Sequence, residues 1–191
     1  MSTSRRDHLV ETALHLFMRD GFHATGIDRV LKESGVAKKT LYNHFSSKDD
    51  LIVAALAKRD HDFAAKMRTA IARLTPQQTG DPRMAPVLAF FDGLDEWFRS
   101  DSFSGCIFIN ASAEYPRADC PIHRACEAHK LQVLATIEGL LAGLELPDPA
   151  PLARQLALLA DGAIAGAHTG GDRAAARHAK DAARRLLASW L

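Results

Sequence analysis

The chain has 191 residues, 47% of them hydrophobic, and a formal net charge of +1. That size and composition suit one large domain or two small ones with a real core, and exclude a disordered chain or a polycation. No stretch reaches the roughly 18 apolar residues that a membrane span needs. Met1-Ser2-Thr3-Ser4-Arg5-Arg6 leads into a mixed segment rather than an apolar run, which predicts no secretory signal. Cys106, Cys120 and Cys126 are an odd number at no disulfide-like spacing, which predicts reduced thiols and a cytoplasmic location. Charge is unevenly spread. Residues 1–59 hold ten Lys and Arg against seven Asp and Glu, and the remainder fourteen against sixteen. A modestly basic piece therefore precedes a slightly acidic body.

Strand patterns with period two are missing while Ala and Leu dominate, so the expected fold class is all-α. A first helix is predicted at about Arg5–Asp20, with Leu9, Ala13, Leu16 and Phe17 on one stripe and Gly21 as its stop. A second starts at Thr25, with Asp28 in a capping-box-like position, Ile27, Val30 and Leu31 inward, and Gly35 ending it. A third spans about Lys38–Phe45. Ser47 and Asp50 form a second box-like pair that opens a fourth helix, about Lys48–Leu74. After a Pro-, Gly- and Gln-rich break at 75–82, further helices are predicted at about Met84–Ser100, Ser104–Glu114, Pro121–Leu144, Leu152–His168 and Asp172–Trp190.

The second and third helices, joined by Gly35-Val36, match a helix-turn-helix, whose second helix enters the major groove of DNA. Leu41 and Phe45, four residues apart, turn inward, which leaves Lys38, Lys39, Tyr42, Asn43 and His44 outward or sideways. Lys48 lies in the first turn of the next helix, where the macrodipole disfavours a cation and open N–H groups favour an anion. It either meets a phosphate there or is solvated, with Asp49 and Asp50 satisfying the dipole.

The run Thr25-Gly26-Ile27-Asp28, then Gly35-Val36-Ala37-Lys38-Lys39-Thr40-Leu41-Tyr42-Asn43-His44-Phe45-Ser46-Ser47-Lys48-Asp49-Asp50-Leu51, resembles the signature of the TetR/AcrR family of bacterial transcriptional regulators. The resemblance covers residues 8–55. It implies a helix-turn-helix DNA-binding domain at 1–47 and an effector-binding and dimerisation domain at 48–191. It also implies a homodimer that reads a pseudo-palindromic operator in double-stranded DNA, and a small-molecule effector that relieves repression. Carried over by position, Thr40, Tyr42 and His44 are DNA contacts and Lys48 a phosphate contact. Thr25 and the start of its helix meet the backbone. Lys38, Lys39 and Asn43 complete the surface offered to the groove, Lys39 standing where small residues are common in the family.

In the body, Phe90, Phe91, Leu94, Trp97 and Phe98 are too many large apolar residues for one stripe and predict burial on a broad arc. They are plain core, or, as the resemblance adds, partly an effector cavity. Candidate ligand contacts are Phe63, Met67, Phe91, Leu94, Trp97, Cys106 and Asn110. Cys106, Asn110 and Ala113 share a face, and the Asn110 amide there needs a partner, either local or a ligand. Cys106 is also the candidate for a redox- or electrophile-sensing repressor, although no basic neighbour is evident in sequence. Cys120, His123, Cys126 and His129 are spaced like metal ligands, but steps of three residues turn about 300° each, so one helix cannot close a tetrahedron with all four. No metal or other cofactor is expected. Small residues on the eighth and ninth helices suit either an intrachain bundle or, as the resemblance implies, a four-helix dimer interface, with Leu156, Ala160, Ile164, Ala179, Leu186 and Trp190 in it. An all-helical enzyme has no support: no nucleophile–base set, phosphate loop or paired carboxylates stand at catalytic spacing. A DNA-binding architectural protein without an effector sits poorly with so large an aromatic body.

Overall fold

The structure, a computed structural model, describes residues 4–191. Met1-Ser2-Thr3, where the segment read as lacking a secretory signal begins, lie outside the described residues. Nine α-helices occur among the described residues: α1 (Arg5–Asp20), α2 (Ile27–Ser34), α3 (Lys38–His44), α4 (Lys48–Leu74), α5 (Ala85–Arg99), α6 (Ile107–Glu114), α7 (Pro121–Leu140), α8 (Ala150–Thr169) and α9 (Ala175–Ala188). None of them is long and apolar enough to cross a membrane.

Two compact units result, Met1–Phe63 with Ile107–His129, and Ala64–Cys106 with Lys130–Leu191. The expected division at 47/48 differs from this one. α4 is uninterrupted across the boundary between the units, and α6 with the first half of α7 packs with the N-terminal helices.

In the first unit, Ser4 caps α1 by accepting the Asp7 N–H at 3.1 Å, and Gly21 ends it at φ 87°. Leu9, Leu16, Phe22, Leu41, Leu51 and Ile52 are each at most 1% exposed and form the core. Burial of that kind contributes roughly 1.5–3 kcal/mol per large apolar side chain. Phe17 stacks on Phe22 with centroids 5.1 Å apart. α2 begins at Ile27, two residues later than the sequence pattern predicts, because Thr25 is drawn into the core and Gly26, still extended, precedes the first turn.

In the second unit, α5 and α8 both pack on α9 around Phe91, Phe98, Leu94, Leu152, Leu156 and Leu187, all at most 1% exposed. α6 begins at Ile107 and not at Ser104. Gly105 has φ +79°, and a Cβ there would stand 2.7 Å from the His168 ring, so the chain cannot yet be helical.

The expected dimer face is corrected here. Leu156, Ala160, Ile164 and Ala179 are buried within the protomer, where they pack α8 and α9 on their own neighbours. A face already covered cannot be shared with a second chain. Of the expected set, Leu186 stays half-buried and Trp190 is 37% exposed. The uncovered side of α8 carries Leu158, 72% exposed, with Gly162 and Ala165 also exposed.

Candidate nucleic-acid interface

α2 and α3 are joined through Gly35, whose φ of 66° is the left-handed conformation that favours glycine. This turn lets α3 place Leu41 and Phe45 inward, at 0% and 4% exposure, and Val30 of α2 is likewise buried. The opposite side of α3 is left to solvent. Lys38, Lys39, Tyr42, Asn43 and His44 are exposed, and Thr40 is half-buried. Tyr42 keeps 48% of its surface open, unusual for an aromatic residue without an outside partner. Lys38 stands 3.8 Å from Asp28, an exposed pair that holds neither side chain firmly.

Thr25 is corrected. Its side chain is fully buried, and its hydroxyl donates to the Gly21 carbonyl at 2.7 Å. It ties the end of α1 to the approach of α2 and presents no side chain to a phosphate.

At the start of α4, Ser47 Oγ accepts the Asp50 N–H at 3.1 Å, and Asp50 Oδ2 accepts the Ser46 N–H at 3.1 Å. The reciprocal pair expected from sequence is present, displaced one residue on the carboxylate side. Lys48 is half-buried beside it. Burial pushes its ammonium below the usual lysine range, against the attraction of Asp49 and Glu114. A partly desolvated cation gains most from a new anion. Lys48→Ala should therefore flatten the slope of log affinity against log salt by about one unit, as loss of one phosphate contact does. Titrations of the same duplex at several salt concentrations measure it, and an unchanged slope removes Lys48 from the interface.

Arg6 was not among the expected residues. Its guanidinium lies 5.3 Å from the Phe45 ring centre, which holds a cation against the end of the helix-turn-helix. The signal was the one used for Lys48, a cation in the first turn of a helix, where the dipole disfavours it.

The candidate effector residues are spread over both units. Met67, Phe91, Leu94 and Cys106 are buried and Trp97 half-buried in the second, and Phe63 is half-buried in the first beside Arg59. Asn110 is corrected: it is exposed on α6, whose buried face is Ile107, Phe108 and Ala111. Because α6 starts after Cys106, the face predicted for Cys106, Asn110 and Ala113 does not form, and the amide is open to solvent. An open groove of about 380 Å³ in the second unit is lined by Ala65, Lys66, Thr69, Ala70, Arg73 and Glu96, none of them an expected ligand contact.

The two histidines of the series with metal-like spacing turn to different partners. His123 Nδ1 donates to the Tyr115 carbonyl at 2.9 Å. His129, 5% exposed, directs Nδ1 to Asp60 Oδ1 at 2.7 Å and stacks on Phe108 with centroids 3.6 Å apart. Among the described residues, no three His, Cys, Asp or Glu side chains are grouped to hold a metal ion.

Residues 9–55 match the model of the bacterial regulatory proteins of the tetR family. A crystal structure of a TetR-family transcriptional regulator from Streptomyces coelicolor superposes with a TM-score of 0.83 at 34% identity, covering 98% of this chain and 90% of that one. The HTH-type transcriptional activator FasR of Mycolicibacterium smegmatis is 35% identical over 124 residues, 65% of this chain. The HTH-type transcriptional repressor NemR of Escherichia coli is 29% identical over 109 residues, 57% of this chain. These matches span about half the length of each, 54% of FasR and 53% of NemR. An exposed polar and aromatic face on the second helix of a helix-turn-helix, set on an all-helical body with near full-length likeness to a solved regulator, places this chain in the TetR family of bacterial transcriptional regulators.

Proposed function

We propose that the chain is a cytoplasmic, ligand-responsive repressor that binds a pseudo-palindromic operator as a homodimer and is released by a small molecule. It acts by binding and not by catalysis. The observation that carries this reading is the open face of α3, where Lys38, Lys39, Tyr42, Asn43 and His44 stand exposed while Leu41 and Phe45 hold the helix from behind. Residues 1–47 serve as the DNA-binding part, and 48–191 carry the effector response and the dimer contact. The aromatic core around Phe91, with Met67, Leu94, Trp97 and Cys106, is the apolar environment in which an effector is received. The dimer contact uses the uncovered side of α8, through Leu158, Gly162 and Ala165, with Leu186 and Trp190 from the C-terminal end. A sensing role for Cys106 is disfavoured by its burial, at 7% exposure, which keeps the thiol from solvent electrophiles.

Selection from a random-sequence duplex pool tests the reading. The wild-type chain should enrich a pseudo-palindrome with half-sites about one helical turn or a multiple of it apart, as two-fold protein symmetry requires. Binding should weaken steeply with salt. No enrichment at low salt would sink DNA recognition. With the selected duplex placed over a promoter, transcription should fall when the protein is present; a rise would assign activation, the direction named for FasR.

A further inference from the structure

Glu114, the last residue of α6, is tied to the turn between α1 and α2 by three hydrogen bonds. Its Oε1 accepts the Phe22 N–H at 3.0 Å, its Oε2 accepts the His23 N–H at 2.6 Å, and its backbone carbonyl accepts from His23 Nε2 at 2.9 Å. The partners are 91 and 92 residues away in sequence. One carboxylate spanning two successive N–H groups is a charge-assisted contact that fixes direction as well as distance. The turn is shaped for it: Gly21 has φ +87°, and a Cβ there would lie 3.2 Å from Oε1. Tyr115 extends the contact, its ring 4.7 Å from that of His23 and edge-on to Phe22 at 6.3 Å. Burial first, then Asp49 and Glu114, push the Tyr115 phenol up to about 12, so it stays neutral.

The turn so held runs directly into α2. Phe22 is 1% exposed, and Thr25 is bonded back to Gly21. The backbone from 21 to 25 is thus gripped by α6 on one side and by the end of α1 on the other, and it sets where α2 starts. α6 in turn is entered from Cys106, where the chain leaves the second unit.

We propose that Glu114 is a positioning residue for operator binding: it locks the α1–α2 turn, and through it the α2–α3 pair, in the orientation that presents α3 to DNA. The proposal rests on the DNA-binding reading above. A second effect runs the opposite way and makes the proposal testable. Glu114 attracts Lys48, so removing its charge frees Lys48 for a phosphate. Electrostatics alone therefore predicts that neutralising Glu114 tightens DNA binding, whereas loss of the lock weakens it.

The experiment compares the full-length wild type with Glu114→Gln on the duplex that the wild type selects, across a salt series, with helical content followed by circular dichroism. The glutamine oxygen can take one of the two N–H groups, but its amide nitrogen cannot take the other. Affinity should fall roughly tenfold or more, the cost of a lost charge-assisted bond, with the salt slope unchanged because no phosphate contact is removed. Exchange of the Phe22 and His23 amides should quicken. Equal or tighter binding overturns the proposal. So does weaker binding with a slope flattened by about one unit, because the loss would then be that of a phosphate contact and not of the locked turn. If Glu114→Gln loses helical content, His23→Ala decides. It removes the ring bond to the Glu114 carbonyl and should weaken binding roughly threefold or more at unchanged helicity; unchanged affinity overturns the proposal. A wild type that selects no duplex is a separate outcome, which sinks the DNA-binding reading and this proposal with it.

Discussion

Leu158→Glu is expected to convert the proposed dimer to a monomer and to lower operator affinity at least about a hundredfold. The physical argument starts from symmetry. In a two-fold interface the same patch serves both partners, so one substitution enters twice. Leu158 is 72% exposed in the protomer. Covering it in a dimer gains roughly 1.5–3 kcal/mol per copy, and a buried carboxylate there adds a desolvation cost. Two copies therefore shift the dimer by about 3–6 kcal/mol or more, which is two to four decades in its dissociation constant. Operator affinity follows, because a monomer engages one half-site and loses the gain of linked binding. The exposed side chain supports little inside its own chain, so thermal stability and helical content of the monomer should stay near wild type at matched conditions. Sedimentation or scattering at micromolar concentration measures the first effect and anisotropy titration the second. A Leu158→Glu protein that remains dimeric would move the interface away from this side of α8.

That prediction was not available from the sequence, and the reason is instructive. Ala153, Ala157, Ala160 and Ile164 make a regular stripe on α8, and small residues permit close helix approach whether the neighbour belongs to the same chain or another. Periodicity reports that a face is covered, not by whom. The structure gives most of that stripe to the protomer's own core, and Leu158, the exposed residue to which the dimer contact is assigned in the proposal, lies off it. The stop of α1 and the start of α4 were legible because they are set locally, by Gly21 at one helix and by Ser47 and Asp50 at the other. The start of α2 was not. A threonine before a helix reads as a cap, and only the fold shows that its hydroxyl turns back to Gly21. The inward and outward sides of α3 were legible because the four-residue step from Leu41 to Phe45 fixes both at once. The Glu114 contacts could not be read at all. They join segments some ninety residues apart, and a glutamate at a helix end carries no local mark of them.

The two sides of α3 also give the sharpest test of the recognition helix, because neighbouring residues should fail in opposite ways. Leu41 is 0% exposed and Tyr42 is 48% exposed. Leu41→Ala opens a cavity between α3 and the rest of the first unit and should cost about 2–5 kcal/mol of stability, the usual range for a buried leucine. Tyr42→Ala removes a side chain that meets solvent, and stability should stay within about 0.5 kcal/mol of wild type. On DNA the order reverses once folding is accounted for. Tyr42→Ala should lose roughly 1–3 kcal/mol of binding, about 5- to 150-fold, if its ring and hydroxyl reach base edges or phosphate. Leu41→Ala should bind almost as wild type whenever it is folded, for example at reduced temperature, since its side chain faces away from the groove. Urea midpoints and anisotropy titrations on the same preparations separate the two effects. An unchanged affinity for Tyr42→Ala would mean that the exposed ring serves some other partner, and the proposed DNA contacts would then have to be sought among Lys39, Thr40 and His44.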